Sequence, residues 1–270
     1  MNYKGKVLIT GGTSGLGLEL VRVFLQRGFF VITTGRREIE VSGSDGRLGF
    51  YPVDFSDLGQ TAWIFRRICD DHILDYVIYN AGVLSPAEFM RTVDGFEYTY
   101  QVNFLAHLLA NELIIQNCDH SKPMRIAAVT SMAYRVAMPQ FRSVASSAEY
   151  RAWRAYSDSK LYLALMCRHY SVKYAGSRIQ FISFDPGIFG SQLYRTQSGV
   201  FRIVYQTGVR ILRKPGKQAT VLSDILTGAE IINGAVYDVR KRIRKLPEPE
   251  SSVNDTFWDR SIREIEKFLV

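Results

Sequence analysis

Short apolar runs alternate along the chain with longer stretches in which apolar side chains recur at helical spacing. In the first such stretch, Leu16, Leu20, Val23 and Phe24 fall on one face of a helix. The apolar runs predict strands at 6–10, 29–33, 48–53, 76–79, 125–130, 179–184 and 235–239. The amphipathic stretches predict helices at 16–27, 57–69, 95–116, 153–174, 217–230 and 254–268, the last capped by Asn254 or Asp255. The linker 38–47 is too rich in Gly and Ser to predict a helix.

This order of strands and helices sets the fold class. Helical stretches between successive strands are long enough for right-handed crossovers, which produce a parallel sheet covered on both faces. We therefore predict an α/β protein, a single-domain Rossmann fold over 1–270 with a doubly wound parallel sheet and helices on both faces. After Pro186 the alternation lapses. We interpret about 188–216 as an insertion that forms a substrate lid, and about 254–268 as a C-terminal helix.

Composition excludes several other classes of protein. Hydrophobic residues make up 47% of the 270 and charged residues 22%, as in ordinary globular chains, which excludes disordered and fibrous proteins. No stretch approaches the ~18 consecutive apolar residues of a spanning helix, and a Gly-rich turn occupies the place of a signal peptide's apolar core. We therefore expect a cytoplasmic protein. Neither the widely spaced Cys69, Cys118 and Cys167 nor the four histidines suggest a disulfide framework or a metal site.

The net charge of +8 is concentrated in one part of the chain. Between Arg195 and Lys245 there are eleven Lys and Arg but three acidic residues, so this segment holds the whole excess. It contains no recognised nucleic-acid-binding module, and we expect no nucleic-acid partner. A helix over 200–214 would place arginines 202, 210 and 213 on one side and apolar residues on the other. Its apolar side would cover the substrate pocket, whereas its basic side would be solvated or would rest peripherally on an anionic membrane.

The first predicted strand leads into a glycine-rich turn, Thr10-Gly11-Gly12-Thr13-Ser14-Gly15-Leu16-Gly17. Glycines at 11, 15 and 17 allow a tight turn and leave no Cβ between the next helix N-terminus and a bound pyrophosphate. An ordinary tight turn is the alternative interpretation. The strand before the turn and the helix after it favour a dinucleotide site.

The end of the second predicted strand indicates which dinucleotide binds. An acidic residue there accepts a hydrogen bond from the ribose hydroxyl of NAD(H), whereas arginine pairs with the ribose phosphate of NADP(H). Here the strand ends in Arg36 and Arg37, and the first acid is Glu38. The alternative is a pair of solvated surface arginines. The position favours NADP(H) as the cofactor.

Tyr156 and Lys160 are the candidates for acid–base chemistry. Residues four apart lie on one face of a helix, so the ammonium group can favour the phenolate form of Tyr156, whose ordinary pKa is ~10. A second pair with this spacing, Tyr237 and Lys241, shows that spacing alone is weak evidence. Only Tyr156 follows a hydroxyl at the end of a predicted core strand, that of Ser131. We interpret the second pair as a strand end beside a basic surface.

Seven ordered landmarks make the chain resemble the short-chain dehydrogenase/reductases over nearly its whole length. They are the glycine-rich turn, Asp54, Asn80-Ala81-Gly82, Asn103, Ser131, Tyr156-x-x-x-Lys160 and Pro186-Gly187. The interval of 25 residues between Ser131 and Tyr156 is similar to that of the retinol-dehydrogenase-like branch. The chain departs from this branch in the Gly- and Ser-rich linker 38–47, where the branch usually has a helix. Ser191 also stands where the family often has threonine.

The resemblance implies a role for each landmark. Tyr156 would exchange the proton with the alcohol oxygen, Lys160 would lower the pKa of Tyr156 and hold the nicotinamide ribose, and Ser131 would bind the substrate oxygen. Asn103 would hold a water in the proton relay. The residues expected to contact the dinucleotide are Gly11, Thr13, Ser14, Gly15, Leu16, Gly17, Arg36, Arg37, Asp54, Phe55, Asn80, Ala81, Gly82, Tyr156, Lys160, Pro186, Gly187, Ile188 and Ser191.

Together these features predict an NADPH-dependent oxidoreductase that interconverts a carbonyl and an alcohol on a bulky apolar substrate. The alternative is a non-catalytic NADP(H)-binding scaffold or redox sensor on the same fold. A pure binder has no need of Asn103, Ser131, Tyr156 and Lys160 together, which favours the enzyme. Retinoids, steroids, lipid aldehydes and polyketide-type ketones all remain open as substrates, as do the direction of the reaction and the oligomeric state.

Overall fold

Strands and helices alternate along the computed structural model, which describes residues 3–187, 215–247 and 250–270. Its strands are β1 (Lys6–Thr10), β2 (Phe30–Gly35), β3 (Leu48–Pro52), β4 (Tyr76–Tyr79), β5 (Met124–Val129), β6 (Ile179–Asp185), β7 (Val236–Asp238) and β8 (Ile243–Arg244). Its helices are α1 (Gly15–Gln26), α2 (Leu58–Asp71), α3, α4 (Ala152–Lys173), α5 (Gly216–Thr227) and α6 (Ser251–Ile265). Helix α3 joins a turn Tyr98–Tyr100, a π-helical segment Gln101–Leu105 and an α-helix Ala106–Asn117.

The strands form one sheet in the order β3-β2-β1-β4-β5-β6-β7-β8. All neighbouring strands in the described residues are parallel except β7 and β8, which pair antiparallel. The order reverses at the β1 and β4 pair, and the carboxyl ends of these strands face one crevice. The predicted α/β fold with a doubly wound parallel sheet and helices on both faces is thereby confirmed. The two-residue edge strand β8 was not predicted.

Apolar side chains cover both faces of the sheet, which explains why its strands have continuous apolar runs. In β1, Val7 and Ile9 pack on the layer that contains α1 and α5, whereas Leu8 packs on the layer that contains α2, α3 and α4. All three side chains are fully buried. The linker 38–47 contains no helix, as predicted. Among the helices that the structure describes, none has the length and apolarity needed to cross a membrane.

The C-terminal helix α6 packs across α3 and α4. Phe257 stacks on Phe104 with ring centroids 5.5 Å apart and lies 4.7 Å from the ring of Tyr162. The predicted start at residue 254 is wrong, because α6 begins at Ser251 after Glu250. Asn254 is therefore no cap: it lies inside the helix, where its side chain accepts a hydrogen bond from Trp258 Nε1. Asp255 also lies inside the helix.

The predicted lid lies almost wholly outside the described residues. These stop at Gly187 and resume at Pro215, so the helix over 200–214 and its two proposed faces stay predictions. The following helix was predicted at 217–230 and is found as α5, Gly216–Thr227.

The packing of α6 leads to a prediction about the stability of the protein. Phe257→Ala removes a buried ring between α3 and α4 and is expected to lower the free energy of unfolding by about 3–5 kcal/mol. Val253→Ala, on the exposed side of the same helix, is the matched control and should cost far less. Urea unfolding followed by circular dichroism measures both. Equal losses in the two variants would show that α6 is not anchored by this ring.

Candidate active site

A cavity of about 710 Å³ opens at the carboxyl ends of β1, β4, β5 and β6. Such a position outside the strand ends, where the strand order reverses, is the usual ligand site of doubly wound sheets. The predicted residues that line it are Gly11, Thr13, Ser14, Gly15, Leu16, Gly17, Arg36, Asp54, Phe55, Asn80, Ala81, Gly82, Ser131, Tyr156, Lys160, Pro186 and Gly187. Ile188 and Ser191 lie outside the described residues.

The glycine-rich turn forms one wall of the cavity in the way its sequence predicts. Gly11 and Gly15 have φ angles of 67° and 55°, a region that favours glycine. A Cβ on Gly17 would overlap the carbonyl oxygen of Gly11 and lie 2.5 Å from Asn80 Nδ2. The turn delivers the chain to the N-terminus of α1, whose first turn contains no acidic residue. Its free N–H groups and helix dipole therefore suit an anion such as a pyrophosphate.

Arg36 follows β2 and Asp54 follows β3, so both line the cavity on the side of β1 that is away from β5 and β6. Both charges act on Tyr98, which also lines the cavity: burial raises the pKa of Tyr98, Asp54 raises it further, and Arg36 lowers it. Asp54 Oδ1 accepts hydrogen bonds from the amide and the hydroxyl of Ser56, at 3.0 and 2.8 Å. Arg37 is exposed and does not line the cavity, in contrast to the sequence prediction. Both arginines lie in the bend that follows β2, and of the two only Arg36 lines the cavity.

The hydroxyl of Thr10 ties the first turn to the loop after β4. Its oxygen accepts hydrogen bonds from the backbone amides of Asn80 and Ala81, each at 2.9 Å. The Asn80 side chain donates in return to the carbonyl oxygens of Thr10 and Gly11, at 3.0 and 3.2 Å. Thr10 is fully buried. The two loops that meet at the crossover of the sheet are thus held together by hydrogen bonds away from water.

His107 continues this network into α3. Its Nδ1 lies 3.1 Å from the carbonyl oxygen of Asn103, which only accepts, so Nδ1 carries the proton. Its Nε2 lies 3.1 Å from the Thr10 hydroxyl and accepts from it. Burial lowers the pKa of His107 to about 3, with the charge of Lys160 contributing in the same direction. His107 is therefore a neutral structural histidine.

Asn103 lies behind the cavity wall in the π-helical segment of α3. Its side chain accepts from the Val83 amide at 2.7 Å and donates to the Val83 carbonyl and the Ser159 hydroxyl, each at 3.0 Å. A Cβ on Gly82 would lie 3.2 Å from Asn103 Oδ1 and 3.1 Å from Lys160 Nζ. Because Gly82 has no side chain, Asn103 of α3 and Lys160 of α4 can both lie close to its backbone.

Tyr156 and Ser131 meet at the floor of the cavity. Ser131 follows β5 and caps the 3-10 helix Met132–Val136, where its hydroxyl accepts from the Ala133 amide at 3.3 Å. Burial raises the pKa of Tyr156, the hydrogen bond with Ser131 lowers it, and the negative charge of Asp185 raises it. The net direction is upward, so the phenol is protonated at neutral pH and can donate a proton.

From the sequence, Lys160 is predicted to lower the pKa of Tyr156. The expected lowering of the phenol pKa is absent, because burial outweighs the other influences. Lys160 Nζ donates to the carbonyl of Val129 at 3.2 Å, and burial lowers its own pKa to about 8. It is therefore still mostly an ammonium ion at neutral pH and stands ready to donate further hydrogen bonds.

Several cavity residues were not predicted from the sequence. They are Gly35, Val53, Val83, Leu84, Ser85, Pro86, Ala87, Met90, Tyr98, Val102, Val129 and Thr130. Half of them lie between Val83 and Met90, in an irregular stretch after β4 without a recognisable motif. The signal that was available is their place after a strand that ends beside β1.

The second Tyr-x-x-x-Lys pair lies away from the cavity. Tyr237 is in β7, where its hydroxyl accepts from the Ile232 amide at 2.8 Å, and Lys241 forms an ion pair with Asp224 at 3.3 Å. The interpretation as a strand end beside a basic surface is confirmed. The described residues also contain no group of three His, Cys, Asp or Glu side chains that could hold a metal.

Comparison with known proteins gives consistent matches. The family model described as short chain dehydrogenase matches residues 5–198. Mouse retinol dehydrogenase 11 is 28% identical over 246 residues, which cover 86% of this chain and 77% of that protein. Human retinol dehydrogenase 14 is 30% identical over 288 residues, covering 94% and 84%. A solved short chain dehydrogenase from Shigella flexneri 2a, complexed with NADP, aligns with a TM-score of 0.68 at 18% identity, covering 88% and 98%.

The state of His107 leads to a prediction of pH dependence. Unfolded, His107 takes up a proton near pH ~6.5, but folded it does so only near pH 3. Between these values the unfolded state binds more protons, so the free energy of unfolding falls as the pH falls. His107→Gln should unfold more easily at pH 7 and show a shallower decline between pH 6 and 4. Urea unfolding at each pH tests this. Parallel curves for the two proteins would contradict a neutral, hydrogen-bonded His107.

Proposed function

The chain belongs to the short-chain dehydrogenase family and is an alcohol or carbonyl oxidoreductase, and we propose that it uses NADP(H) to interconvert an apolar carbonyl compound and its alcohol. One observation carries the proposal. Tyr156, Ser131 and Lys160 meet in one cavity with a glycine-lined helix N-terminus. The hydroxyl pair suits proton transfer, and the helix N-terminus suits a dinucleotide phosphate.

Tyr156 is the general acid in this proposal. Its raised pKa keeps the phenol protonated at neutral pH, so that it donates a proton to the substrate oxygen during carbonyl reduction. Ser131, hydrogen-bonded to the same phenol, orients the substrate oxygen. In the reverse direction, Tyr156 accepts the alcohol proton, a step that is favoured as the pH rises toward its raised pKa.

Lys160 and Asn103 have supporting roles for Tyr156 in this proposal. Lys160 is 5% exposed, with its ammonium group at the junction of Gly82 and Val129. From there it can bind a ribose hydroxyl and restore protons to Tyr156. Asn103 holds α3 to the Val83 segment on one side and to α4 through Ser159 on the other. Asn103 thereby holds the cavity wall in place, and water beside this wall can relay protons.

The cavity fits a nicotinamide dinucleotide. A Cβ at Gly17 would overlap backbone, and Gly11 and Gly15 adopt positive φ angles that shape the cradle. When bound, this coenzyme supplies or accepts the hydride. Arg36 in the lining of the cavity supports NADP(H), because a guanidinium pairs with a ribose phosphate.

The substrate end of the site is apolar. The segment after β4 contributes Leu84, Pro86, Ala87 and Met90 to the lining of the cavity. The similar retinol dehydrogenases are named for a long apolar alcohol. We therefore propose a bulky apolar aldehyde or ketone, with retinoids, steroids and lipid aldehydes as the first classes to assay. A cytoplasmic location and a peripheral membrane contact stay predictions.

The role of Tyr156 is tested by removing one oxygen atom. Tyr156→Phe should lower kcat for carbonyl reduction by ~10²–10⁴ while leaving NADPH binding largely intact, because the ring is kept and the proton donor is lost. Tyr237→Phe, in the second Tyr-x-x-x-Lys pair, is the matched control and should retain full turnover. NADPH consumption with a panel of apolar aldehydes and ketones measures both.

Two outcomes would overturn the role of Tyr156. Near-normal turnover by Tyr156→Phe would move the acid elsewhere in the cavity. Tight NADPH binding without turnover of any carbonyl by the unaltered protein would instead favour a non-catalytic scaffold or redox sensor.

Coenzyme choice is tested by comparing two adjacent arginines. Arg36→Gln removes the guanidinium that lines the cavity and should weaken NADPH binding by about 10–100-fold, as expected for a lost charge-assisted hydrogen bond of about 1.5–3 kcal/mol. NADH binding should change little. Arg37→Gln is the control and should weaken neither. Fluorescence titration of both coenzymes decides; equal losses for NADPH and NADH in Arg36→Gln would defeat the assignment.

A further inference from the structure

Asp185, the last residue of β6, is a buried carboxylate that directly precedes the cavity-lining residues Pro186 and Gly187. Its side chain is 2% exposed, and its charge acts on Tyr156. A carboxylate in such a place is costly unless its oxygens are bonded. Oδ2 accepts from Arg135 Nη2 at 2.9 Å, and Oδ1 accepts from the backbone amide of Gly187, also at 2.9 Å. Neither Asp185 nor Arg135 was singled out in the sequence.

The two partners of Asp185 belong to two different walls of the cavity. Arg135 lies in the 3-10 helix Met132–Val136, which begins at its cap Ser131. Gly187 lies in the turn that follows β6, where it adopts a φ angle of 67° and lines the cavity with Pro186. Asp185 therefore connects the segment that carries Ser131 to the turn that closes the cavity behind Tyr156.

Other charges around Asp185 are accounted for by their own contacts. Asp238 of β7 is in register with Asp185, but it accepts from the side chains of Arg242 and Arg244 and from two backbone amides. On α4, the ammonium of Lys160 is bonded to the Val129 carbonyl. Arg135 also lies over the ring of Tyr134, with its guanidinium carbon 5.5 Å from the centroid. Arg135 is thus the cation that pairs directly with Asp185 in the described residues.

We infer that Arg135 and Asp185 are positioning residues of the active site, whose ion pair holds Ser131 in register with the Pro186–Gly187 turn around Tyr156. The inference rests on the proposed function, because it assigns the pair a task in proton transfer by Tyr156. Small displacements of groups that orient a substrate cost much rate, since a shift of about 1 Å can lower turnover ~10²-fold. The pair thus links two loops that the sheet alone places at neighbouring strand ends.

The pair also determines the electrostatic effect of Asp185 on the pKa of Tyr156. The carboxylate of Asp185 raises the pKa of the phenol, and the guanidinium of Arg135 acts on Asp185 with the opposite sign. Removing the carboxylate should therefore lower the pKa of Tyr156. Removing the guanidinium should raise it, because the negative charge is then uncompensated. A role in stability alone does not predict opposite shifts.

The experiment compares Asp185→Asn with Arg135→Gln in the full-length protein. In carbonyl reduction, activity falls a second time as the pH rises through the pKa of Tyr156, beyond the fall near pH 8 where Lys160 loses its proton. This alkaline limb should move to lower pH by about 0.5–1 unit in Asp185→Asn and to higher pH by a similar amount in Arg135→Gln. Both variants should lower kcat by about tenfold with little change in the KM for NADPH. Arg135→Lys, which keeps the charge, should return the limb toward its original position.

Two controls isolate the pair. Arg142 forms an ion pair with Glu149 at the same distance of 2.9 Å and is equally exposed, at 38%, so Arg142→Gln should leave both the limb and kcat unchanged. In the double variant with Asp185→Asn and Arg135→Gln, the upward shift should disappear, because the carboxylate through which Arg135 acts is gone. If Asp185→Asn does not fold, Arg135→Gln and Arg135→Lys still decide, since Arg135 is a partly exposed side chain.

Failure of this inference is distinguishable from failure of the proposed function. If Tyr156→Phe is inactive but the alkaline limb stays in place, or moves in the same direction, in the Asp185 and Arg135 variants, the pair does not position or tune the acid. If Tyr156→Phe retains turnover, the proposed function itself is wrong and the inference falls with it.

Discussion

The site depends on one buried hydroxyl group, that of Thr10. Its oxygen accepts from the amides of Asn80 and Ala81, and its proton is directed to His107, which in turn donates to the Asn103 carbonyl. This chain of hydrogen bonds joins the glycine-rich turn, the loop after β4 and the π-helical segment of α3. His107 Nε2 can accept from Thr10 only because it carries no proton, and burial keeps the ring neutral. This network fixes the positions of the three elements relative to one another.

The parallel sheet converts distant positions in the chain into one chemical site. Ser131, Tyr156 and Gly187 belong to separate elements and meet because the carboxyl ends of β5 and β6 lie side by side. Burial then determines the chemistry of the groups that meet. It raises the pKa of the Tyr156 phenol and lowers that of the Lys160 ammonium, so that one group holds its proton and the other releases it more readily. A phenol that keeps its proton, beside an ammonium group that releases one more readily, suits proton exchange with a substrate oxygen.

Much of this structure was predictable because it follows from local patterns. The strand β4 begins and ends where its apolar run does, and the crossovers follow from helix length. The glycines of the first turn predict both its backbone conformation and the close approach of neighbouring atoms to its backbone. The sequence failed where long-range packing decides. The start of α6 was misplaced because Asn254 looks like a cap, whereas the burial of Phe257 and Trp258 sets how the helix lies on α3. The pKa of Tyr156 was misjudged because spacing reveals the neighbouring ammonium but not the extent of burial.

Arg37 and Asp185 are two further residues whose positions relative to the cavity could not be predicted from local sequence patterns. Adjacent arginines are equivalent in sequence, and only the direction of the chain after β2 separates Arg36, at the cavity, from Arg37. Asp185 carries no motif of its own, and its contacts come from residues 50 positions upstream and two downstream. Side chains that join loops across a site are invisible to periodicity, because their partners are distant in the chain.

Transfer of deuterium tests the central claim most directly. The unaltered protein would be incubated with an apolar aldehyde and NADPH in which deuterium replaces both hydrogens on the reactive carbon of the nicotinamide ring, and the alcohol product analysed by mass spectrometry. The account predicts an alcohol with deuterium on the former carbonyl carbon, and a hydroxyl proton that exchanges with water. An alcohol without deuterium, or bound NADPH with no alcohol formed from any carbonyl assayed, would contradict it.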